Sequence, residues 1–420
     1  MHKIFYLSNG IRVVTENIDY VKSISIGVWV GSGSAMEKLK NNGVSHFIEH
    51  LLFKGTTTKD AKEIAESMDR LGGQLNAVTS KEYTCYYARI LSEHINAAIE
   101  LLSDMIRNST FLEENIDIER KVILEEINMC EDTPEDYIHD ILSRTLWGES
   151  SLGYPIAGTA DILNNIDKNA ILSYFDDNYT AENIVISLTG NFDEEDALKN
   201  LEERFGGIKK KSSSFQKQPK VKLSQNAEVV KRDIEQCQLC LGFGGFSRSD
   251  DRKYALTVAN AVFGGNMSSR LFQKIREEKG LSYSVYSYTN SYESNGALVI
   301  YAGLSAENLY PVLDIINEEI RLLKKEGLSD SEIEMAKNQL KASIIMGGEG
   351  MSARMSSYGK GMLFENKIKT DDELIKIIDS VDKCRIKDAI DDVFKLEHLN
   401  IAVLGNVQES GDKIISAMDF

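Results

Sequence analysis

Cysteine is scarce in this chain of 420 residues: Cys85, Cys130, Cys237, Cys240 and Cys384 are five, odd in number and scattered. That pattern excludes a disulfide-stapled miniprotein and suits a reducing compartment, so a cytoplasmic location is expected. Long apolar runs are missing as well. No stretch approaches the ~18 to 20 uninterrupted apolar residues of a membrane span, and the opening MHKIFYLSNG turns polar sooner than a signal peptide would. Basic charge is in deficit, with 48 lysines and arginines against 65 acids and a net charge of −17. Nucleic acid is therefore an unexpected partner, because affinity for a polyanion comes largely from clustered basic side chains. Acidity favours neutral or cationic partners, although it serves solubility equally well. What is present is a 42% hydrophobic composition, enough for a large core and for more than one domain.

The chain is written twice. Ile24-Ser25-Ile26-Gly27 matches Leu239-Cys240-Leu241-Gly242, Ile166-Asp167-Lys168 matches Val381-Asp382-Lys383, and Gly190-Asn191 matches Gly405-Asn406, each at an offset of 215 residues. Agreement of three offsets indicates two copies of one domain. Each copy opens on an alternating strand, Ser23 to Val30 and Gln236 to Phe243, followed by helical segments. In the first copy the spacing predicts helices near Gly43 to Leu52, Lys59 to Leu71 and Asn96 to Arg107, with strands between Gln74 and Ile90. Gly72-Gly73 ends the second helix. The expected class is α+β: two homologous domains from an internal duplication, each a mainly antiparallel sheet packed with helices, facing each other across a cavity. Residues 1–207 are the first domain, 208–222 a connector with Lys209-Lys210-Lys211 and three serines, and 223–420 the second. Cys237-x-x-Cys240 has a metal-like spacing, yet no second Cys or His pair lies near it, so both are read as strand cysteines.

Histidine is also rare, at six residues, and two of the six frame a glutamate in His46-Phe47-Ile48-Glu49-His50. On a helix, residues four apart are roughly 40° apart around the axis, so both imidazoles share a face, with Glu49 within about 100° of each. Two neutral imidazoles can bind a divalent ion while the adjacent carboxylate takes a proton from its water. Two histidines could instead decorate an ordinary helix. Leu51, Leu52 and Phe53 follow directly, however, and polar groups among such neighbours are costly unless something pairs with them. A third ligand is sought downstream, where ENIDIERKVILEEINMC reads as a helix with the stripe Ile116, Glu119, Val122, Ile123, Glu126 and Cys130. Glu119 and Glu126 share that apolar stripe, roughly 20° apart in azimuth. Glu126 is the candidate third ligand and Glu119 the acid that orients a ligand or tunes the water.

GVSHFIEHLLFKGT, followed by Glu126 within ERKVILEEINMCEDTP, resembles the inverted zinc motif H-x-x-E-H of the pitrilysin family, which includes insulin-degrading enzyme and the mitochondrial processing peptidase. The resemblance covers nearly the whole chain, duplication included, and lies with the bacterial processing-peptidase branch. It implies one zinc ion per chain on His46, His50 and Glu126, with Glu49 as catalytic base and Glu119 in support. It also implies that Arg276 and Tyr283, in RLFQKIREEKGLSYSV, reach the substrate from the second half, Tyr283 near the developing oxyanion. The second-half segment Lys253 to Phe263 has no histidine and cannot rebuild the metal site. Gly264-Gly265 is read as a turn. Family members pair an extended substrate with the strand Gly72 to Thr79, which marks Asn76 and Ala77 as substrate-binding. The expected function is a zinc endopeptidase acting on short or unfolded peptides, as a possible homodimer. The rival is a non-catalytic peptide-binding or assembly subunit of the same fold.

Overall fold

The computed structural model describes residues 2–211 and 218–420; the serines of the connector, 212–214, lie outside the described residues. The chain divides into two compact units, each with its own sheet and core.

The first unit is built on β1 (Lys3–Tyr6), β2 (Arg12–Asn17), β3 (Ser23–Val30), β4 (Gln74–Thr79), β5 (Thr84–Leu91) and β6 (Ile184–Gly190), in the spatial order β1-β2-β6-β3-β5-β4. Only β2 and β6 run parallel; the other neighbours are antiparallel. The second unit has β7 (Asn226–Lys231), β8 (Cys237–Gly244), β9 (Ser282–Ser291), β10 (Gly296–Leu304) and β11 (Asn400–Gly405), in the order β7-β11-β8-β10-β9. Here too there is one parallel pair, β7 with β11, at the outer end of the sheet. With β1 set aside the two orders coincide, so the repeat in sequence is a repeat of sheet topology. The matched tetrapeptides lie in β3 and β8, and the matched Gly190 and Gly405 end β6 and β11.

Alternation decides which face each strand buries. On β3, Ile24, Ile26, Val28 and Val30 are fully buried and pack with Val44, Phe47, Ile48 and Leu51 of α1 (Val44–Leu52). The same core takes Ile64 of α2 (Ala61–Asp69), Ile99 and Leu102 of α3 (Ile95–Asn108), and Ile116 and Ile123 of α4 (Glu113–Glu131). Cys237 and Cys240 are buried in β8, as strand cysteines should be.

The division of the chain departs from the expected boundaries 1–207 and 223–420. The first unit comprises the described residues of Met1–Asn128, Pro155–Gln216 and Met346–Lys369; the second those of Met129–Tyr154, Lys217–Ile345 and Thr370–Phe420. The two halves of the sequence have exchanged a helix. α5 (Pro134–Trp147) lies on β8 and β11 of the second sheet, and the helix Met351–Phe364 lies on β3 and β6 of the first. Close approach makes the second contact. A Cβ at Gly27 would strike the Met355 sulfur, and one at Gly359 the Trp29 ring. Trp29, Met355 and Met362 form a satellite cluster there, and buried Glu16 accepts hydrogen bonds from Arg354 Nη1 at 2.9 Å and Tyr358 Oη at 2.8 Å. Hydrophobic periodicity marks a helix as having a face to bury. It does not state which of two equivalent sheets will receive that face.

Candidate metal centre

α1 buries Val44, Phe47, Ile48, Leu51 and Leu52 on one side, which turns His46, Glu49 and His50 to the other, where all three are partly exposed. α4 crosses nearby, burying Ile116, Glu119 and Ile123 and leaving Glu126 half-buried. The expected stripe is narrower than drawn from the sequence: Val122 faces solvent, 40% exposed. The helix keeps Glu119 inside and swings Glu126 to the edge, where it meets both imidazoles.

Glu126 Oε2 stands 3.6 Å from His46 Nε2 and 3.5 Å from His50 Nε2, and one ligand atom from each residue lies within 4.8 Å of the others. Bonds of 2.0–2.1 Å to a tetrahedral zinc would set such atoms roughly 3.4 Å apart. The donor set therefore fits the ion in type and in spacing. Burial, with His50 beside it, lowers the His46 pKa to about 4, so this imidazole stays neutral and able to coordinate.

The surrounding groups hold these side chains in place. Glu119, 2% exposed, has Oε2 at 3.0 Å from His50 Nδ1 and Oε1 at 2.8 Å from Lys54 Nζ. In the tautomer that donates Nδ1–H to Glu119, the His50 Nε2 lone pair faces Glu126. Burial raises the Glu49 pKa; a hydrogen bond from Thr79 and the nearby His50 pull it back. Thr79 Oγ1 donates to Glu49 Oε2 at 2.5 Å, and the Thr79 main chain hydrogen-bonds the same carboxylate.

Thr79 ends β4, and β4 is an edge strand. Ser80 N–H donates to Tyr83 C=O in the turn, and antiparallel alternation then directs the main-chain groups of Leu75, Ala77 and Thr79 away from β5. Ala77 N–H is met locally, by Asn76 Oδ1 at 2.8 Å. In the second unit Arg276 sits on a π-helical turn, Phe272–Glu278, with its guanidinium carbon 4.8 Å from the ring centres of both Phe272 and Tyr283. Tyr283 is 76% exposed. The structure thus brings Arg276 and Tyr283 together, and gathers His46, Glu49, His50, Glu119 and Glu126 in the first unit. Reading the sequence missed Lys54, Thr79 and Phe272. Each acts on a partner distant in sequence or through a turn of unusual pitch, and only the lysine directly after an apolar run offered a local signal.

Comparison with known proteins decides the family. The profile described as Insulinase (Peptidase family M16) matches residues 12–160, and that of the Peptidase M16 inactive domain matches residues 165–340. The chain belongs to peptidase family M16. It is 45% identical over 386 residues to YmxG of Bacillus subtilis, described as an uncharacterized zinc protease, covering 92% of this chain and 94% of that one. A zinc protease of Streptomyces coelicolor is 38% identical over 379 residues, covering 88% and 83%. A protease from Helicobacter pylori has the same fold, with a TM-score of 0.90 at 21% identity over 96% of this M16 chain and 99% of that one. So has a chain of complex III2 from Candida albicans, with a TM-score of 0.87 at 19% identity, covering 100% of both. The inactive-domain match fits a second half whose helix Arg252–Phe263 carries no histidine. Among the described residues no helix is long and apolar enough to cross a membrane.

Proposed function

We propose that this M16 chain is a zinc endopeptidase acting on short or unfolded peptides. The observation that carries the reading is the convergence of His46 Nε2, His50 Nε2 and Glu126 Oε2 beside Glu49. A zinc ion there would lower the pKa of water toward ~7 and polarise the scissile carbonyl. Glu49 takes the proton and returns it to the departing amine, a task its raised pKa favours. Glu119 and Lys54 keep His50 in the coordinating tautomer. An extended peptide adds to the open edge of β4, its carbonyl replacing Asn76 Oδ1 on Ala77 N–H, and main-chain pairing of this kind gives affinity with little sequence preference. Tyr283, steadied by Arg276, donates to the oxyanion. The five free cysteines suit action in the cytoplasm.

The non-catalytic alternative draws support from the complex III neighbour. The complete donor set and the Arg276–Tyr283 couple weigh against it and favour a self-sufficient enzyme, as a monomer or a homodimer. The test joins metal analysis to digestion of an unfolded peptide library. Wild type is expected to hold one zinc per chain and to lose activity to a chelator. Glu49→Gln should keep the zinc and lose ~10²–10⁴ in turnover, while His50→Ala should lose both. Full turnover in Glu49→Gln would remove the base from the mechanism, and a wild type without zinc would remove the metal.

A further inference from the structure

The two imidazoles of the metal centre are held in different ways. His50 has Glu119 on its Nδ1. His46 Nδ1 is buried and makes no hydrogen bond among the described residues. No outer partner on the ring aims His46, so its direction has to come from the main chain beneath it.

That main chain is unusually restrained. Glu37, 5% exposed, folds back under the start of α1. Its Oε2 accepts from Gly43 N–H at 2.7 Å and from Asn42 Nδ2 at 2.9 Å, and its Oε1 accepts from Ser45 N–H at 2.8 Å. Ser45 directly precedes His46. Its hydroxyl donates to Tyr174 Oη at 3.0 Å, and that oxygen lies 2.8 Å from Ser32 Oγ. From the other side, Gly43, at φ 95°, is pressed against 157–158, where a Cβ would come within 2.6 Å of the Ala157 carbonyl oxygen. α1 has no capping side chain at Gly43 itself. Glu37 serves from a distance, and an anion suits the positive end of a helix. Burying a carboxylate is costly unless it is hydrogen-bonded, and Glu37 is held by three donors. The equivalent helix of the second half, Arg252–Phe263, begins at the ion pair Asp250–Arg252 instead.

We propose that Glu37, with Ser45 and Tyr174, is the positioning device of the metal centre: by gripping the first turn of α1 it directs His46 Nε2 at the point shared with His50 and Glu126. The inference rests on the zinc reading above. Its test is the zinc affinity of the full chain, measured by competition with a chromophoric chelator. Glu37→Gln puts an amide where both carboxylate oxygens accept, and zinc affinity should fall at least about tenfold, the usual effect of losing an orienting partner. Tyr174→Phe removes one hydroxyl and leaves Glu37 in place; it should weaken zinc binding by about threefold. A purely structural role would lower the melting temperature of the metal-free variants and leave the affinity of the folded protein at the wild-type value; that result overturns the proposal. Should Glu37→Gln not fold without metal, Tyr174→Phe decides, with wild-type affinity again overturning it. A wild type that binds no zinc would instead sink the metal reading itself.

Discussion

β4 and β9 close the same side of two sheets with the same strand order, yet their outer edges differ. On β4, among the described residues, the outward main-chain groups are met by neighbours that can yield: Asn76 Oδ1 on Ala77 N–H, and Glu49 at Thr79. On β9 the edge is sealed at its middle. Ser287 N–H donates to Gly264 C=O at 2.8 Å, and Ser287 C=O accepts from Asn260 Nδ2 at 3.1 Å. Gly264-Gly265 is thus a helix end that plugs a strand edge, which gives the turn expected there a use. An unpaired edge invites another chain. Of these two edges, the molecule keeps open the one beside His46, His50 and Glu126 and closes the other with Gly264 and Asn260. Duplication preserved the scaffold, and the halves then diverged in what they leave unpaired.

Three substitutions sharpen or break that comparison. The largest effect is expected from Tyr283→Phe, on the half with the sealed edge: if that half contributes chemistry rather than peptide pairing, kcat falls ~10²-fold with KM little changed. A raised KM at constant kcat would make it a binding surface after all. Next comes the pair Ala77→Pro and Ser287→Pro. Proline is tolerated where an N–H faces away from the ladder, so Ala77→Pro should raise KM by roughly fivefold through one lost hydrogen bond and leave the melting temperature nearly unchanged. Ser287→Pro should do the reverse, lowering the melting temperature by a few degrees without moving KM. Equal effects on KM would erase the distinction between the edges.

The smallest effect concerns acid stability in the second unit. Burial alone would raise the Glu332 pKa, but the Arg270 fork, at 2.8 and 3.0 Å, and Ser329 pull it down to about 2. A depressed carboxylate contributes stability that is complete above its unfolded pKa of ~4.3 and is lost as pH falls toward the folded value. Stability from this pair should therefore decline from about pH 4 to about pH 2. Glu332→Gln should flatten that part of the acid-unfolding profile and have no effect on activity at neutral pH.

Local features carried much of the site. Four-residue spacing on one helical face was enough to pair His46 with His50 and to set Glu49 beside them, because helix geometry is the same in any fold. Alternation likewise located the strand Ser23–Val30 to the residue. Glu126 was reachable because an acid in an apolar stripe is conspicuous, although Val122, drawn into the same stripe, faces water. Glu37 and Thr79 had no such mark, and Lys54 only its place directly after an apolar run. A single glutamate in AMEKLKNNG resembles any solvated acid until the chain folds back beneath α1.

The amino-acid sequence by itself determined the duplication, the alternating strands and the clustering of His46, Glu49 and His50, all of which follow from backbone periods that act over a few residues. Tertiary structure alone decided which sheet each exchanged helix covers, which strand edge stays open and which acid hydrogen-bonds the first turn of α1. Those outcomes depend on contacts between residues far apart in sequence, where burial and unpaired hydrogen-bonding groups, rather than local spacing, set the free energy.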